Sequence, residues 1–276
     1  PHRNTRKKPG LISRAFSWAI FKRIYGSSLR SLGMSKIETL AHILLGPLLL
    51  MQGAHTRRVT PKLPEAEGER EGVAGSGKDL RVLILGDSAA AGVGASTQTE
   101  ALSGQVVSRL AKDHRVLWKL WARSGLDSRA LLDLLEQHPP QPFDVVLLSI
   151  GVNDVTSTLS VDQWITLQQR LIDVLRDKFA ATQVVMSPLP PMHLFPALPQ
   201  PLRWYLGNRA ARFNTRLAGL ATGNDHCTML TTRLAPVAGS MARDGFHPGP
   251  AIYSVWADDA VEAITRRRRE TASGKV

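Results

Sequence analysis

Short apolar runs punctuate the chain at residues 80–85, 116–121, 143–150 and 183–186, with a weaker one at 228–230. Between them, apolar positions recur at helical spacing over roughly 99–112, 128–137, 161–179 and 203–221, and a last such stretch, 250–268, follows the final run. Strands that are apolar on both faces, alternating with helices, predict a parallel sheet covered by helices on both sides. Ligands of such sheets lie outside the carboxyl ends of the strands. The residues just after each run are therefore where chemistry is expected. No internal repeat interrupts this alternation.

Upstream the pattern differs. Residues 60–79 mix Pro61, Pro64, Gly68, Gly72, Gly75 and Gly77 with charged side chains, and read as a flexible linker. Before it, residues 40–51 form an apolar run. A membrane span needs about 20 apolar residues and a signal-sequence core roughly 7–15, so the run is nearer the second. Gln52 stands where a cleavage site wants a small residue, and Arg57 and Arg58 follow. The run reads as an anchor or uncleaved signal; a cleaved signal and a buried helix are the alternatives. Residues 1–33 are basic with scattered apolar side chains. They fit an amphipathic membrane-surface or transit-like segment, or sequence upstream of a start at Met34. The expected divisions are an extension at 1–59, a linker at 60–79, an α/β domain at 80–268 and a polar tail at 269–276.

The chain has 276 residues, 43% of them hydrophobic, which supports a sizeable core and excludes wholesale disorder. Its formal charge of +12 points at first to nucleic acid or an anionic membrane. The location of the charge changes that reading. Residues 1–36 hold nine Lys or Arg and no acid, and residues 265–276 hold five against Glu270, which leaves 21 basic and 22 acidic residues in the body. A neutral body with basic ends argues against a nucleic-acid-binding core. The single cysteine, Cys227, rules out an intramolecular disulfide and a CxxC redox site.

Four strand ends carry candidate chemistry. The first reads Gly86-Asp87-Ser88, then a small-residue, Gly-containing stretch through Gly94. A serine at the sheet rim is a candidate nucleophile, and an N-cap serine is the plain alternative. No Gly-Lys-Ser/Thr or GxGxxG stands there for a phosphate. The second end carries Gly125, where the missing Cβ lets a substrate approach the backbone N–H, or which is a plain turn glycine. The third reads Gly151-Val152-Asn153-Asp154, with an amide donor and a carboxylate at the core's edge. Near the C-terminus, Asp244-Gly245-Phe246-His247 puts a carboxylate three residues before an imidazole, close enough to fix its tautomer and leave Nε2 as a base.

Together and in this order, these four blocks resemble the SGNH or GDSL-type serine esterase/lipase superfamily, with bacterial lysophospholipase-like esterases among its members. The resemblance covers about residues 80–268. The first, third and last motifs are specific; the lone glycine is not. Ala89 departs from the leucine of the name motif, at a variable position. The resemblance implies a flavodoxin-like three-layer α/β/α fold with a five-stranded parallel sheet. It implies a carboxylic ester hydrolase that uses no cofactor and no metal. By carry-over, Ser88 is the nucleophile, His247 the base and Asp244 its orienter, with an oxyanion hole from Ser88, Gly125 and Asn153. No Gly-x-Ser-x-Gly elbow is present, because residue 90 is alanine, so an ordinary α/β-hydrolase is disfavoured.

Six of the 17 prolines fall in residues 188–201, among apolar side chains. A stiff loop at the active face reads as a wall of an acyl pocket, with Met192, His193 and Phe195 as substrate-binding candidates. His193 also reads as an ordinary loop residue. Asp225-His226-Cys227 mimics a catalytic pair but sits at the amino end of its strand, the wrong side of the sheet. The expected function is a serine ester hydrolase acting on short to medium acyl or lipid-like esters. An acyltransferase or sugar O-acetylesterase with the same triad is the alternative, and a non-catalytic membrane-surface protein the alternative of another class. Expected partners are a small-molecule or lipid ester, no nucleic acid, and a membrane contacted through residues 40–51. A membrane-associated or exported bacterial protein is expected, with the cytoplasm also open; the oligomeric state stays open. Because all four motifs lie beyond Leu80, a chain beginning near Gly77 is expected to keep full activity on short water-soluble esters.

Overall fold

A computed structural model describes residues 36–231 and 239–273. The readings placed on residues 1–33 lie outside the described residues. The chain divides into two compact units, Pro1–Met51 and Gln52–Val276. Of the first, what is described is the front of helix α1 (Lys36–Val59), with Pro47 inside it. It carries the 40–51 run. Among the described residues no helix is long and apolar enough to cross a membrane.

The second unit is built on a six-stranded sheet. Strands β2 (Lys78–Gly86), β3 (His114–Ala122), β4 (Val145–Ser149), β5 (Gln183–Met186) and β6 (Cys227–Met229) run parallel in the order β3-β2-β4-β5-β6. These are the five expected from the apolar runs. A sixth, β1 (Glu71–Ala74), pairs antiparallel with the outer edge of β3, from Glu71 opposite Lys119 to Ala74 opposite Val116. The sheet therefore has six strands where five were expected.

The two-sided burial of the central strands makes the layers. Leu80, Val82 and Ile84 of β2 pack on one face, with α2 (Leu102–Leu110) and α7 (Pro250–Ala272) above them. The alternate residues Leu83 and Leu85 are equally buried and point to the other face. That face is covered by α3 (Ser128–Gln137), α5 (Val161–Asp177) and α6 (Leu202–Thr222), which bury Leu131, Trp164 and Phe213 among others. Each such side chain contributes roughly 1.5–3 kcal/mol by leaving water. α2 and α7 are also tied by Arg109, whose Nε donates to Asp258 Oδ1 at 2.6 Å and whose Nη2 donates to Ser254 Oγ at 2.8 Å.

Residues 60–79 are not the flexible linker that their Pro and Gly content predicts. Besides β1, this stretch buries Ala66 and bonds to the segment after β2: the Glu67 N–H donates to the Ser96 carbonyl, and the Gln98 N–H to the Glu67 carbonyl at 2.7 Å. β1 escapes a pattern search because it is an edge strand whose side chains are mostly exposed, so no apolar run marks it. A chain beginning at Gly77 lacks this strand and leaves the β3 edge unpaired. Self-sufficiency from Gly77 thus does not follow from the positions of the four motifs. The compact unit begins at Gln52, whose side chain donates to the Gln200 carbonyl at 2.7 Å and accepts the Leu202 N–H at 3.1 Å. Helix α7 continues past the expected domain end at 268, to Ala272.

Candidate active site

All four motifs follow the parallel strands at their carboxyl ends. Ser88 is in contact with the Asp244–His247 pair, while Gly125 and Asn153, after β3 and β4, are tied to each other and are not among the residues lining the pocket at Ser88. After β2 the chain turns tightly: the Asp87 N–H donates to the Ser149 carbonyl at the end of β4, and the Val93 N–H donates to the Ser88 carbonyl at 3.0 Å. This holds Ser88 half-buried at the sheet rim. Tyr253 of α7 donates its hydroxyl to the Val93 carbonyl at 2.7 Å and so fixes the last helix to the serine segment.

The loop ahead of α7 brings in the acid and the imidazole. Asp244 Oδ1 accepts the backbone N–H groups of Phe246 and His247 at 2.9 and 3.0 Å. Its Oδ2 lies 2.6 Å from His247 Nδ1, and His247 Nε2 lies 2.9 Å from Ser88 Oγ. An ionised carboxylate only accepts, so Nδ1 carries the proton and Nε2 is left to accept from the serine hydroxyl. The Asp244 side chain is 0% exposed. Burial pushes its carboxyl up, but the hydrogen bonds from the His247 ring, the His247 N–H and the Phe246 N–H together outweigh that and hold it below the ordinary carboxylate value. It therefore stays charged in a place that would otherwise neutralise it.

Gly125 and Asn153 come from the neighbouring strand ends. Gly125 has φ +85° and nothing within 4 Å of where a Cβ would stand. Helix α4 (Val152–Val155) is only four residues long and starts after Gly151. Gly151 has φ +133°, and a Cβ there would stand 2.9 Å from Leu189 and 3.0 Å from Trp164. Asn153 Nδ2 donates to the Leu126 carbonyl at 2.7 Å, which ties the loop carrying Gly125 to the loop carrying Asn153. An amide nitrogen has two hydrogens, so a second remains for a ligand.

Asp154 faces inward, where its Oδ2 accepts the Ser128 hydroxyl at 2.8 Å; Gln168 Nε2 donates to that hydroxyl in turn. Burial pushes the Asp154 carboxyl up. It is an anchor of the loop rather than part of the rim. Arg209 is a second anchor that the sequence reading missed. It donates to the carbonyls of Val155 at 2.8 Å, Ser157 and Leu159, and its guanidinium lies over the Phe213 ring.

Asp87 beside the serine is buried, with Oδ1 accepting the Ala89 N–H at 3.1 Å. Burial pushes its carboxyl up to about 7, against the pull of the Ala89 N–H and of His247. The unfolded chain releases this proton near the ordinary value of 3.8. The stability that protonated Asp87 lends is therefore present in full below that value and is lost as pH rises to about 7. Asp87→Asn keeps an acceptor for Ala89 and removes the charge. Its stability relative to the parent is expected to rise from pH 4 to 7 and then level off, by on the order of a few kcal/mol. Urea melts across that range check this; an offset independent of pH overturns it.

A pocket open to solvent starts at Ser88 and His247. Its walls are mostly apolar: Ile150, Val152, Leu189, Phe195, Phe246, Ile252 and Trp256 with Pro188, Pro190 and Pro191. Of the three proposed pocket residues only Phe195 lines it, edge-on to Phe246 with ring centres 5.2 Å apart. Met192 and His193 do not belong to the lining. Their short 3-10 turn, Met192–Leu194, buries Met192 and leaves His193 exposed, its backbone and Cβ packed over Gly207. Trp256 and Ile252 were missed because an apolar residue on an amphipathic helix reads as core. His226 sits at the amino end of β6, away from this rim. Among the described residues no group of three or more His, Cys, Asp or Glu side chains is arranged to hold a metal ion.

A serine, an imidazole and a carboxylate lie in line at the carboxyl rim of a parallel α/β sheet, the arrangement of a serine hydrolase, and no Gly-x-Ser-x-Gly turn surrounds the serine. The GDSL-like lipase/acylhydrolase family model matches residues 84–255, and the chain belongs to that family. It is a carboxylic ester hydrolase. It is 28% identical over 235 residues to the GDSL-like esterase Rv1075c of Mycobacterium tuberculosis, covering 76% of this chain and 74% of that protein. Among solved structures, the lipase Lip_vut3 from a goat rumen metagenome is similar in fold, with a TM-score of 0.55 at 17% identity, over 67% of this chain and 97% of that one. TesA is similar with a TM-score of 0.53 at 20% identity, over 68% and 99%.

Proposed function

We propose that this protein cleaves esters of medium-length apolar acyl groups through an acyl-enzyme on Ser88. The observation that carries this is the in-line contact of Asp244, His247 and Ser88, opening into an apolar cavity. His247 Nε2 takes the Ser88 proton as Oγ attacks the ester carbonyl. Asp244 stabilises the imidazolium that forms. The N–H groups of Ser88 and Gly125 and the free amide hydrogen of Asn153 receive the developing oxyanion, each donor worth roughly 10²–10³ in rate. His247 then gives its proton to the leaving alkoxide. Water attacks the acyl-enzyme with His247 again as base, and the acid and Ser88 are released.

A p-nitrophenyl ester series from acetate to palmitate, with lysophospholipid alongside, tests the acyl preference. kcat/KM is expected to peak at about six to ten acyl carbons, because apolar walls reward added methylenes until the cavity is full. A maximum at acetate with a steady decline overturns the preference and favours a sugar O-acetylesterase.

Residues 40–51 are further proposed to attach the chain to a membrane surface without crossing it, helped by the basic residues ahead of them. Full-length protein is expected to float with anionic vesicles in a density gradient. Recovery at the bottom of the gradient overturns this.

A further inference from the structure

We propose that Glu65, from the stretch before β1, is a positioning residue that holds the Gly125 loop in shape to receive the oxyanion. The proposal rests on the reading of Gly125 as an oxyanion donor.

The loop from Arg123 to Gly125 is exposed. Gly125 has no side chain and no neighbour where a Cβ would be. Packing therefore does not hold this loop; hydrogen bonds do. Within the loop and to β2 these are long: Arg123 N–H to the Gly86 carbonyl and Leu126 N–H to the Arg123 carbonyl, both 3.3 Å. Two short ones come from outside it: on the far side Asn153 Nδ2 donates to the Leu126 carbonyl at 2.7 Å, and on the near side stands Glu65, whose Oε1 accepts the Ser124 N–H at 2.6 Å. Its Oε2 accepts from Arg70 Nη1 at 2.9 Å, and Arg70 Nη2 donates to the Ala122 carbonyl. Carboxylate and guanidinium thus grip the two peptides that flank Arg123 at the start of the loop, on the Ala122 carbonyl and the Ser124 N–H. The next peptide carries the Gly125 N–H, so the grip sets where that hydrogen points. Charged partners make such bonds shorter and stiffer than neutral ones.

Glu65 is itself held to the serine side of the site. Ala66 is buried and its N–H donates to the Ala91 carbonyl; Gln98 Nε2 donates to the Ala66 carbonyl at 3.1 Å. At the far end, the Leu120 N–H donates to the Arg70 carbonyl at 2.7 Å. The clamp links the segment following Ser88 to the loop that ends β3. Burial pushes the Glu65 carboxyl up, but the Ser124 N–H and Arg70 outweigh it and keep it below the ordinary value, so the clamp stays charged at neutral pH. Glu65 lies outside the residues matched by the family model.

The test is steady-state hydrolysis of p-nitrophenyl butyrate by full-length Glu65→Ala, Glu65→Asp and Glu65→Gln, with rates expressed per active site titrated by a fluorophosphonate. Glu65→Ala is expected to lower kcat by about 10- to 100-fold with KM within twofold, because an oxyanion donor acts in the transition state. Glu65→Asp keeps the charge but falls one methylene short, and is expected to lose nearly as much; it decides the matter if the alanine variant does not fold. Glu65→Gln keeps an acceptor for the Ser124 N–H but faces Arg70 with an NH₂, and is expected to lose less than Glu65→Ala without reaching the parent. A merely structural role would lower Tm and the number of titratable sites but leave kcat per site unchanged, and that result overturns the proposal. Asn153→Ala separates the two levels. If it loses about 10²-fold while the Glu65 variants lose nothing, the clamp is wrong and the oxyanion hole stands. If none of these variants loses kcat, the oxyanion hole itself is wrong and the clamp with it.

Discussion

Ser88→Ala is expected to lower kcat by about 10⁵- to 10⁶-fold and to abolish labelling by a fluorophosphonate, while the protein stays folded. The size follows from the arrangement: without Oγ there is no acyl-enzyme, and His247 has nothing to deprotonate except water. What persists is the residual acceleration of oxyanion donors and binding alone. Folding survives because the serine is only half-buried and its hydroxyl contact is to His247 Nε2, a bond whose net loss costs roughly 1 kcal/mol. Kinetics on p-nitrophenyl butyrate and peptide mass mapping of the labelled protein check both halves. Ser149 and Ser187 also line the cavity and are the natural rivals. Labelling of either in place of Ser88 overturns the assignment. Ser187 starts at a disadvantage, because its Oγ already accepts the Trp256 indole N–H at 3.0 Å.

Asp244→Asn is expected to cost about 10⁴-fold in kcat, although it changes one oxygen into an NH₂. The reason lies in the two backbone N–H groups, of Phe246 and His247, that both point at Oδ1. They require an acceptor there, so the asparagine oxygen must take that place and its NH₂ must face His247 Nδ1. The imidazole then accepts at Nδ1 and carries its proton on Nε2, where it cannot receive the proton of Ser88. Raising the pH does not restore the tautomer, so the loss is expected to persist from pH 7 to 9. A loss under tenfold, or recovery at high pH, overturns the orienting role of Asp244.

The central strands were the most legible, because β4, β5 and the inner part of β2 are buried on both faces and so appear as nearly continuous apolar runs. β4 is all Val, Leu and one Ser, and every residue in it is buried. The candidate triad was legible because the residues after such runs fall at the carboxyl end of the sheet, although not each of them faces the rim: Asp87 and Asp154 are buried. Ser88, Asn153 and the Asp244–His247 pair follow that rule or lie in a turn before the last helix.

β1 was not legible. An edge strand with exposed side chains has no apolar signature, and its pairing with β3 depends on the path of a turn rather than on composition. The proline loop was legible as a wall but not in detail. Its turn sends Met192 inward and His193 out to solvent, so that Phe195 alone of the three reaches the cavity.

By itself, then, the sequence determined the parallel core, the order of the strand ends and the residues that chemistry requires at them, because hydrophobic periodicity and short motifs are local. The tertiary structure alone decided which apolar side chains became pocket and which became core. Trp256 on α7 meets Ser187 across 69 positions, and Glu65 meets Ser124 across 59. Contacts of that range leave no trace in local spacing. They exist because the parallel topology carries distant segments to one edge of one sheet, where a carboxylate can satisfy a backbone N–H that nothing nearby in the chain would reach.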